Sequence, residues 1–215
     1  MRRPTFAAWI AAMVVVVAAQ SGLHLVTVLG QGRLGSPFDL DRSNGVPDLV
    51  STVVLALAAL GAALLVGHGS GVERLVPWLT APGLALLTLA DVVHDGAHPA
   101  ETVGRIVIGV SVGTLVLLGF ATVGRSRLTL AVATCLLVGA FLADGVDRIT
   151  QRFEPQRGDW PTESQIVVKE GLELLGWSLV ALAVWDEAIR RRRARGSVPT
   201  ARASRAPVPS KRRAA

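Results

Sequence analysis

Apolar residues occur in six long blocks along the chain, and few charged residues interrupt them. A helix needs about 20 residues to cross about 30 Å of hydrocarbon, and each block is close to that length. Continuous apolar runs favour helices over the alternating strands of a membrane barrel. The sequence therefore predicts an all-α, polytopic membrane helix bundle with six transmembrane helices, at about residues 6–29, 49–67, 77–95, 102–120, 128–149 and 165–189.

The charged residues set the orientation of these spans. The chain is 51% apolar and 18% charged, and its 22 Lys and Arg against 16 Asp and Glu give a net charge of +6. Ten of the basic residues follow Trp185. With the N-terminus inside, fifteen basic residues lie on the cytoplasmic side and five in the outer loops, as the positive-inside rule requires. We expect a multi-pass protein of the bacterial inner (plasma) membrane with both termini in the cytoplasm.

The two ends of the chain need separate interpretations. Arg2 and Arg3 before an apolar stretch resemble a signal peptide, but the apolar run continues to Leu29, which favours a retained first helix over cleavage. Residues 190–215 are basic, rich in Ala, Pro and Ser, and without apolar periodicity. We therefore expect a transmembrane domain over 1–189 and a disordered cytoplasmic tail over 190–215. The tail is either a solvated topology signal or a ligand of anionic lipid headgroups; its charge does not indicate nucleic acid.

Ionisable side chains inside the spans are the candidate functional residues, because each costs about 2.5–3.5 kcal/mol on insertion. Once the topology is fixed, most of them fall in the outer leaflet, on five of the six predicted helices. Seven are candidate metal ligands: His24, Asp91, His94, Asp144, Asp147, Glu170 and Glu173. Three more would balance charge or bind an anionic substrate: Arg105, Lys169 and Asp95.

The spacing of these residues points to metal chemistry. Six of the candidate ligands form pairs three residues apart, which places both members on one helix face: Asp91 with His94, Asp144 with Asp147, and Glu170 with Glu173. Facing carboxylate and imidazole pairs are the ligands of di-metal bundles, and oxygen-rich ligation suits iron, manganese or zinc. Haem held by two histidines is a weaker alternative among so many carboxylates. Cys135 is the only cysteine, so intrachain disulfide and four-cysteine zinc sites are excluded.

Three functions remain open at this point. The first is an outer-leaflet metal site, which would act on a lipid-soluble or extracytoplasmic substrate if the protein is an enzyme. The second is a small proton- or ion-coupled transporter. Two features argue against it: the inner halves of the spans contain few polar residues besides Thr and Ser, and the spans show no clear internal repeat. The third is a non-catalytic subunit whose buried charge network locks the helices together. The partners are then the lipid bilayer and either further copies of the chain or other subunits of a membrane complex.

One loop segment carries a resemblance to other proteins. Residues 38–47 read F-D-L-D-R-S-N-G-V-P, which resembles the F-x-L-D-R-E-x-N-x-P segment before a helix in a group of uncharacterised bacterial multi-pass membrane proteins. The stretches 89–95 and 169–176 are similar to an acidic-plus-His-Glu segment and an E-E-x-L-E-x-x-G segment of that group. The resemblance implies that four residues act as a set: Asp91, His94, Glu170 and Glu173. It implies no activity.

The chain also departs from the pattern of that group. Ser43 stands where the pattern has an acid, Gly45 where it has Asn, and Lys169 where the last motif has its first acid. The interval between Asp91 and His94 is also shorter than in the group. These departures affect the acidic positions on which a metal site would depend.

Overall fold

The computed structural model describes residues 4–34, 36–40, 45–66, 72–93, 101–150 and 158–196, with side chains over 7–34, 36–40, 45–66, 75–89, 108–143 and 158–194. Every regular element in this part of the chain is a helix, so the all-α prediction is confirmed. The helices are α1 (Pro4–Leu25), which continues into a π-helical turn (Val26–Gly30), α2 (Val46–Leu65), α3 (Val72–Val93), α4 (Glu101–Ala121), α5 (Arg125–Thr150) and α6 (Trp160–Gly196).

Three of the described helical stretches are long and apolar enough to cross a membrane. They are Ala7–Gly30, Val46–Leu65 and Arg125–Ala143, and two shorter apolar stretches follow in α3 and α4, at Leu75–Leu89 and Ile108–Ala121. Many large apolar side chains on these helices are exposed, including Phe120 and Leu128, as expected of surfaces that face lipid. The structure thus agrees with the predicted multi-pass membrane protein.

Helix α6 differs most from its predicted bounds. It begins at Trp160 rather than at residue 165 and continues to Gly196 rather than ending at residue 189. Pro161 suits the first turn of a helix, where its missing N–H has no partner to lose. At the other end, Glu187 pairs with Arg190 and Arg191, the spacing that stabilises a helix. Residues 190–196, predicted to begin the tail, are therefore helical, and 197–215 lie outside the described residues.

Helix α6 is the central helix of the bundle. It packs against α1, α2 and α5, whereas α3 packs against α2 and α4. Its side chains Trp177, Val180 and Val184 belong to the main hydrophobic core. Among the described helices, α6 also carries the most acidic residues, and the neighbouring helices bury two of them, Glu163 and Glu187.

Two glycines allow the neighbouring helices to approach α6 closely. A Cβ atom at Gly176 would lie 2.6 Å from Leu137 Cγ of α5, and one at Gly61 of α2 would lie 3.0 Å from the ring of Trp185. The Trp185 indole N–H donates a 2.9 Å hydrogen bond to the Leu57 carbonyl, next to that contact. These contacts fix the register of α6 against both neighbours and so determine the depth of its charged residues.

Candidate functional site

The segment after α1 folds back over the end of that helix. The Ser36 hydroxyl donates to Thr27 Oγ1 at 3.3 Å, and the Val46 N–H at the start of α2 donates to the Pro37 carbonyl at 2.8 Å. Ser36 and Pro37 therefore link α1 to α2 through a tight connection. Asp39 lies inside this connection and is 2% exposed.

His24 lies at the centre of a buried cluster formed by α1, this connection and the start of α6. Its Nε2 atom is 2.8 Å from Glu163 Oε2, and both side chains are 0% exposed. The two atoms lack the alignment of a regular hydrogen bond, so we describe the contact as a close polar pair rather than as a hydrogen bond. On the other side of the ring, Asp39 Oδ1 is 3.6 Å from His24 Nδ1. We call His24, Asp39 and Glu163 the outer cluster.

Glu163 reaches the outer cluster because of how α6 begins. The Glu163 N–H donates to the Asp159 carbonyl at 3.0 Å, which is the first hydrogen bond of the helix. Its Oε1 atom accepts the Gly158 N–H at 2.8 Å, leaving Oε2 to face His24. Gly158 has a φ of +96°, a conformation that glycine adopts readily and other residues do not. The carboxylate thus caps its own helix on one side and contacts α1 on the other.

The hydrogen bonds around His24 determine where its ring carries a proton. The Leu40 N–H donates to His24 Nδ1 at 3.1 Å, so Nδ1 is an acceptor. A neutral imidazole has one donor and one acceptor nitrogen, and the proton therefore lies on Nε2, facing Glu163. A metal ion at Nε2 would have to displace that proton. The Nε2 atom and the Glu163 carboxylate are thus adjacent, 2.8 Å apart, without the alignment of a regular hydrogen bond.

The candidate metal ligands are described to different extents. Among the described side chains, no group of three or more His, Cys, Asp or Glu is arranged to hold a metal ion. Asp91 lies in α3 and Arg105 in α4, while Asp144 and Asp147 lie in α5, but the side chains of these four are outside the described residues. His94 and Asp95 lie outside them entirely. The metal site therefore stays a prediction.

The register of α5 on α6 gives the depth of the acidic pairs. A Cβ atom at Gly139 would lie 3.4 Å from Leu172, and Ser126 Oγ lies 3.0 Å from Asp186 Oδ2. In this antiparallel pair Asp144 is therefore level with about residue 168 of α6. At 1.5 Å per residue, Glu170 is about 3 Å deeper than Asp144 and Glu173 about 8 Å deeper. The backbone positions of the two acidic pairs thus lie on adjacent helices at staggered depths.

The predicted residues of α6 lie deeper in the bundle than the outer cluster. Lys169 Nζ is 3.4 Å from Glu170 Oε1, and both side chains are a little under one third exposed. Glu173 is half-buried. Since Glu163 is level with His24, Glu170 lies about 10 Å and Glu173 about 15 Å further along the axis. The structure thus does not bring His24 together with Glu170 and Glu173.

A second buried cluster lies at the opposite end of α6. Glu187 is 0% exposed and accepts hydrogen bonds from Arg190 and from Arg191 Nε, the latter at 2.7 Å. The Arg191 guanidinium also donates to the Ala121 carbonyl, at the last residue of α4, where a cation is favourable to the helix dipole. Ser126 Oγ, near the start of α5, donates to Asp186. We call Asp186, Glu187 and Arg191 the inner cluster.

Sequence reasoning missed both clusters in part. Asp39, Glu163, Asp186 and Glu187 were not among the predicted site residues, although Asp186 and Glu187 lie within the last predicted span. The pairing of Glu187 with Arg190 and Arg191 was readable from the sequence, because the spacings of three and four residues bring them together on a helix. The pairing of His24 with Glu163 was not, since it joins residues 139 positions apart in the sequence.

The fold and these clusters define a helical protein of the membrane type, with ionic side chains buried at both ends of its central helix. Its sequence matches no protein-family model, no curated protein and no solved structure at a significant level. The resemblance in residues 38–47 therefore stays a prediction. Within that segment, Asp39 and Leu40 both contact His24.

Proposed function

We propose that the protein crosses the inner membrane six times, with both termini in the cytoplasm. The helix lengths and the excess of basic residues at the inner ends support this topology. Reporter fusions test it: a periplasm-dependent enzyme such as alkaline phosphatase should be active when fused after residue 40, 98 or 158, and inactive after residue 66, 124 or 215. The reverse pattern would contradict the orientation, and activity at neither or both of two successive positions would contradict the number of spans.

We further propose that the protein moves protons across the membrane along α6. The observation that carries this proposal is the pair of fully buried acids, Glu163 and Glu187, at the two ends of the same helix. They are 24 residues apart, which is about 36 Å along a helix, slightly more than the hydrocarbon thickness of about 30 Å. If α6 crosses the membrane as proposed, one acid lies near each membrane interface.

Buried carboxylates at these two positions favour a functional explanation over a purely stabilising one. Removing two charges from water costs about as much free energy as their attraction returns. A protein with well-packed apolar residues in their place is therefore often as stable as one with the buried ion pair. Ionisable groups inside membrane bundles commonly mark ion or proton paths. A proton path that is closed to bulk water at both ends requires an ionisable group at each end, and the outer and inner clusters supply these groups.

Polar groups also occur at intermediate depths between the two clusters. Gln20 of α1 and Ser178 of α6 are 8% and 1% exposed, and no described residue supplies a hydrogen-bond partner to Gln20 Nε2 or Ser178 Oγ. Buried polar atoms without a protein partner are ordinarily satisfied by water. Together with Lys169 and Glu170 they supply polar groups at several levels between the two clusters, with Ser178 the one nearest the inner cluster.

Proton flux into liposomes tests this function. Full-length protein is reconstituted in vesicles that contain a pH-sensitive dye, and a potassium gradient with valinomycin drives protons inward. We expect flux above that of protein-free vesicles, lost in Glu163→Gln and Glu187→Gln. Asp159→Asn is the matched control, because Asp159 is an exposed acid four residues from Glu163 and should leave the flux unchanged. Folded wild-type protein without flux, or folded Glu163→Gln with full flux, would contradict the proposal.

Metal binding is the second candidate function. The observation in its favour is that the acids Asp144 and Asp147 of α5 and Glu170 and Glu173 of α6 lie on helices that pack directly against each other. Iron, manganese or zinc would be held by these carboxylates. Elemental analysis of the purified protein should find a stoichiometric metal that is lost in Glu170→Gln and kept in Asp159→Asn. Metal-free, folded wild-type protein would exclude this candidate.

A further inference from the structure

We propose that the interface between α1 and α6 holds ordered water molecules among otherwise apolar side chains. The polar groups that bind them belong to Trp9 and Gln20 of α1 and to Ser178 of α6, and we call this region the hydrated interface. The proposal rests on the packing of the two helices and not on proton transport. Folded protein that carries no proton flux would therefore contradict the proposed function and leave the hydrated interface standing.

Each of the three side chains has a buried polar atom to which no described residue offers a hydrogen bond. The atoms are Trp9 Nε1, Gln20 Nε2 and Ser178 Oγ. Gln20 is 8% and Ser178 is 1% exposed, so bulk solvent does not reach these two. A buried polar group without a partner destabilises the folded state, and ordinarily an ordered water molecule satisfies such a group.

The exposure of the residues of α1 shows which of its sides is packed. The residues at positions 9, 10, 13, 16, 17, 20, 21 and 24 are buried or half-buried, whereas every residue between them is exposed. The packed positions recur every three or four residues and so form one side of the helix. Helix α6 is the main helix packed against α1, so Trp9 and Gln20 lie on the side that faces it.

The register of α1 against α6 follows from two contacts. His24 lies opposite Glu163, and a Cβ atom at Gly171 would lie 3.3 Å from Val17 Cγ1. The two helices are therefore antiparallel. Continued at 1.5 Å per residue, this register places position 9 of α1 level with about position 179 of α6.

Trp9 and Ser178 thus occupy the same level on facing sides of the two helices. Ser178 follows Gly171 by seven residues, which is about two helical turns, and so stays on the side of α6 that contacts α1. No direct hydrogen bond joins the indole N–H to the hydroxyl. One water molecule can accept from Trp9 and bond to Ser178, and a second can accept from Gln20, about 16 Å further along α1.

The chemistry of the three groups identifies the ligand as water. The atoms of Trp9 and Gln20 are N–H donors, which do not coordinate cations, and the Ser178 hydroxyl can donate or accept. None of the three groups carries a charge that would balance a buried anion. A small neutral molecule with an acceptor atom fits both requirements, and water is such a molecule.

Radiolytic footprinting of the full-length protein in detergent tests for this water. A short X-ray pulse converts water into hydroxyl radicals, and mass spectrometry identifies the side chains that these radicals oxidise. We expect oxidation of Trp9, and none above background at Trp177, which is 6% exposed and belongs to the hydrophobic core. Ser178→Ala should lower the oxidation of Trp9 about fivefold, the factor that corresponds to the loss of one hydrogen bond.

Thr134 of α5 provides the matched control. Its hydroxyl already donates to the Leu130 carbonyl at 2.9 Å, so Thr134→Val should leave the oxidation of Trp9 unchanged. Equal oxidation of Trp9 and Trp177 in the wild-type protein would overturn the proposal. Equal oxidation of Trp9 in Ser178→Ala and Thr134→Val would also overturn it.

Thermal unfolding of Gln20→Leu gives an independent test. If water satisfies the Gln20 amide, its replacement removes those hydrogen bonds, and we expect a Tm that is unchanged or lower. If the interface is dry, the variant removes a buried group without a partner and the Tm should rise by about 2–12 °C. Such a rise would overturn the proposal.

Discussion

Replacement of either partner of the His24–Glu163 pair should destabilise the protein strongly. The two side chains are fully buried and 2.8 Å apart, so that Glu163→Leu leaves a buried imidazole facing an apolar side chain, and His24→Leu leaves a buried carboxylate. A buried polar group left without its partner costs about 1–3 kcal/mol, and more when the group is charged. For a protein of this size about 1 kcal/mol lowers the Tm by about 2–4 °C, so we expect each single variant to lose at least about 2–12 °C.

The double variant separates the cost of an unpaired group from the value of the pair. When both partners become leucine, no buried polar group is left without its partner, and apolar replacements of buried pairs are often neutral. We therefore expect His24→Leu with Glu163→Leu to be more stable than either single variant. Thermal unfolding of the three proteins in the same detergent, followed by circular dichroism, measures this coupling.

Two results would refute this account of the outer cluster. One is a loss of less than about 1 kcal/mol in both single variants, which would mean that the two side chains are not paired and buried in the folded protein. The other is a double variant whose loss equals the sum of the single losses, because residues in contact are not expected to act independently. Asp159→Asn, an exposed acid, serves as the control and should unfold at the wild-type temperature.

Two further predictions concern the packing of α6. Gly176→Ala should destabilise the protein by about 1–3 kcal/mol, because the new methyl group would lie 2.6 Å from Leu137. The control is Gly109→Ala, whose methyl group meets nothing within 4 Å and which should be neutral or stabilising by up to about 1 kcal/mol. Equal thermal unfolding temperatures of the two variants would contradict the close contact at Gly176. Arg191→Gln should destabilise the end of α4 by removing the hydrogen bond to the Ala121 carbonyl. We expect faster amide hydrogen exchange confined to residues 119–124, and unchanged exchange at these residues would contradict the prediction.

The helices were largely predictable from the sequence, because they follow from a local property. Long apolar runs must form helices in a membrane, where every backbone polar group needs an internal partner. Five of the six helices accordingly start and end within five residues of the predicted bounds. The exception, α6, begins five residues before and ends seven residues after its predicted bounds, where the sequence is polar. There the helix is stabilised by Glu163 at its start and by Glu187 with two arginines near its end, rather than by apolar burial.

The pairing of charged residues was much less predictable. The sequence located His24, Glu170 and Glu173 within spans, and the helix period grouped the acids in pairs. It did not show that His24 lies opposite Glu163 or that the connection after α1 buries Asp39, because those contacts depend on the rotation and register of packed helices. Glycine contacts such as that of Gly176 with α5 set the register, and a glycine's partner cannot be read from its neighbours in sequence.

The sequence by itself determined the class of the molecule, a helical bundle of the membrane type with acidic residues in its last helix, because hydrophobicity and helix period act over a few neighbouring residues. Only the tertiary structure decided that α6 is the central helix and that its buried acids form two clusters about 36 Å apart along its axis. The reason is that burial and ion pairing are properties of the surroundings of a side chain. Glu163 and Glu187 acquire theirs from α1, from the connection after α1 and from the end of α6 itself.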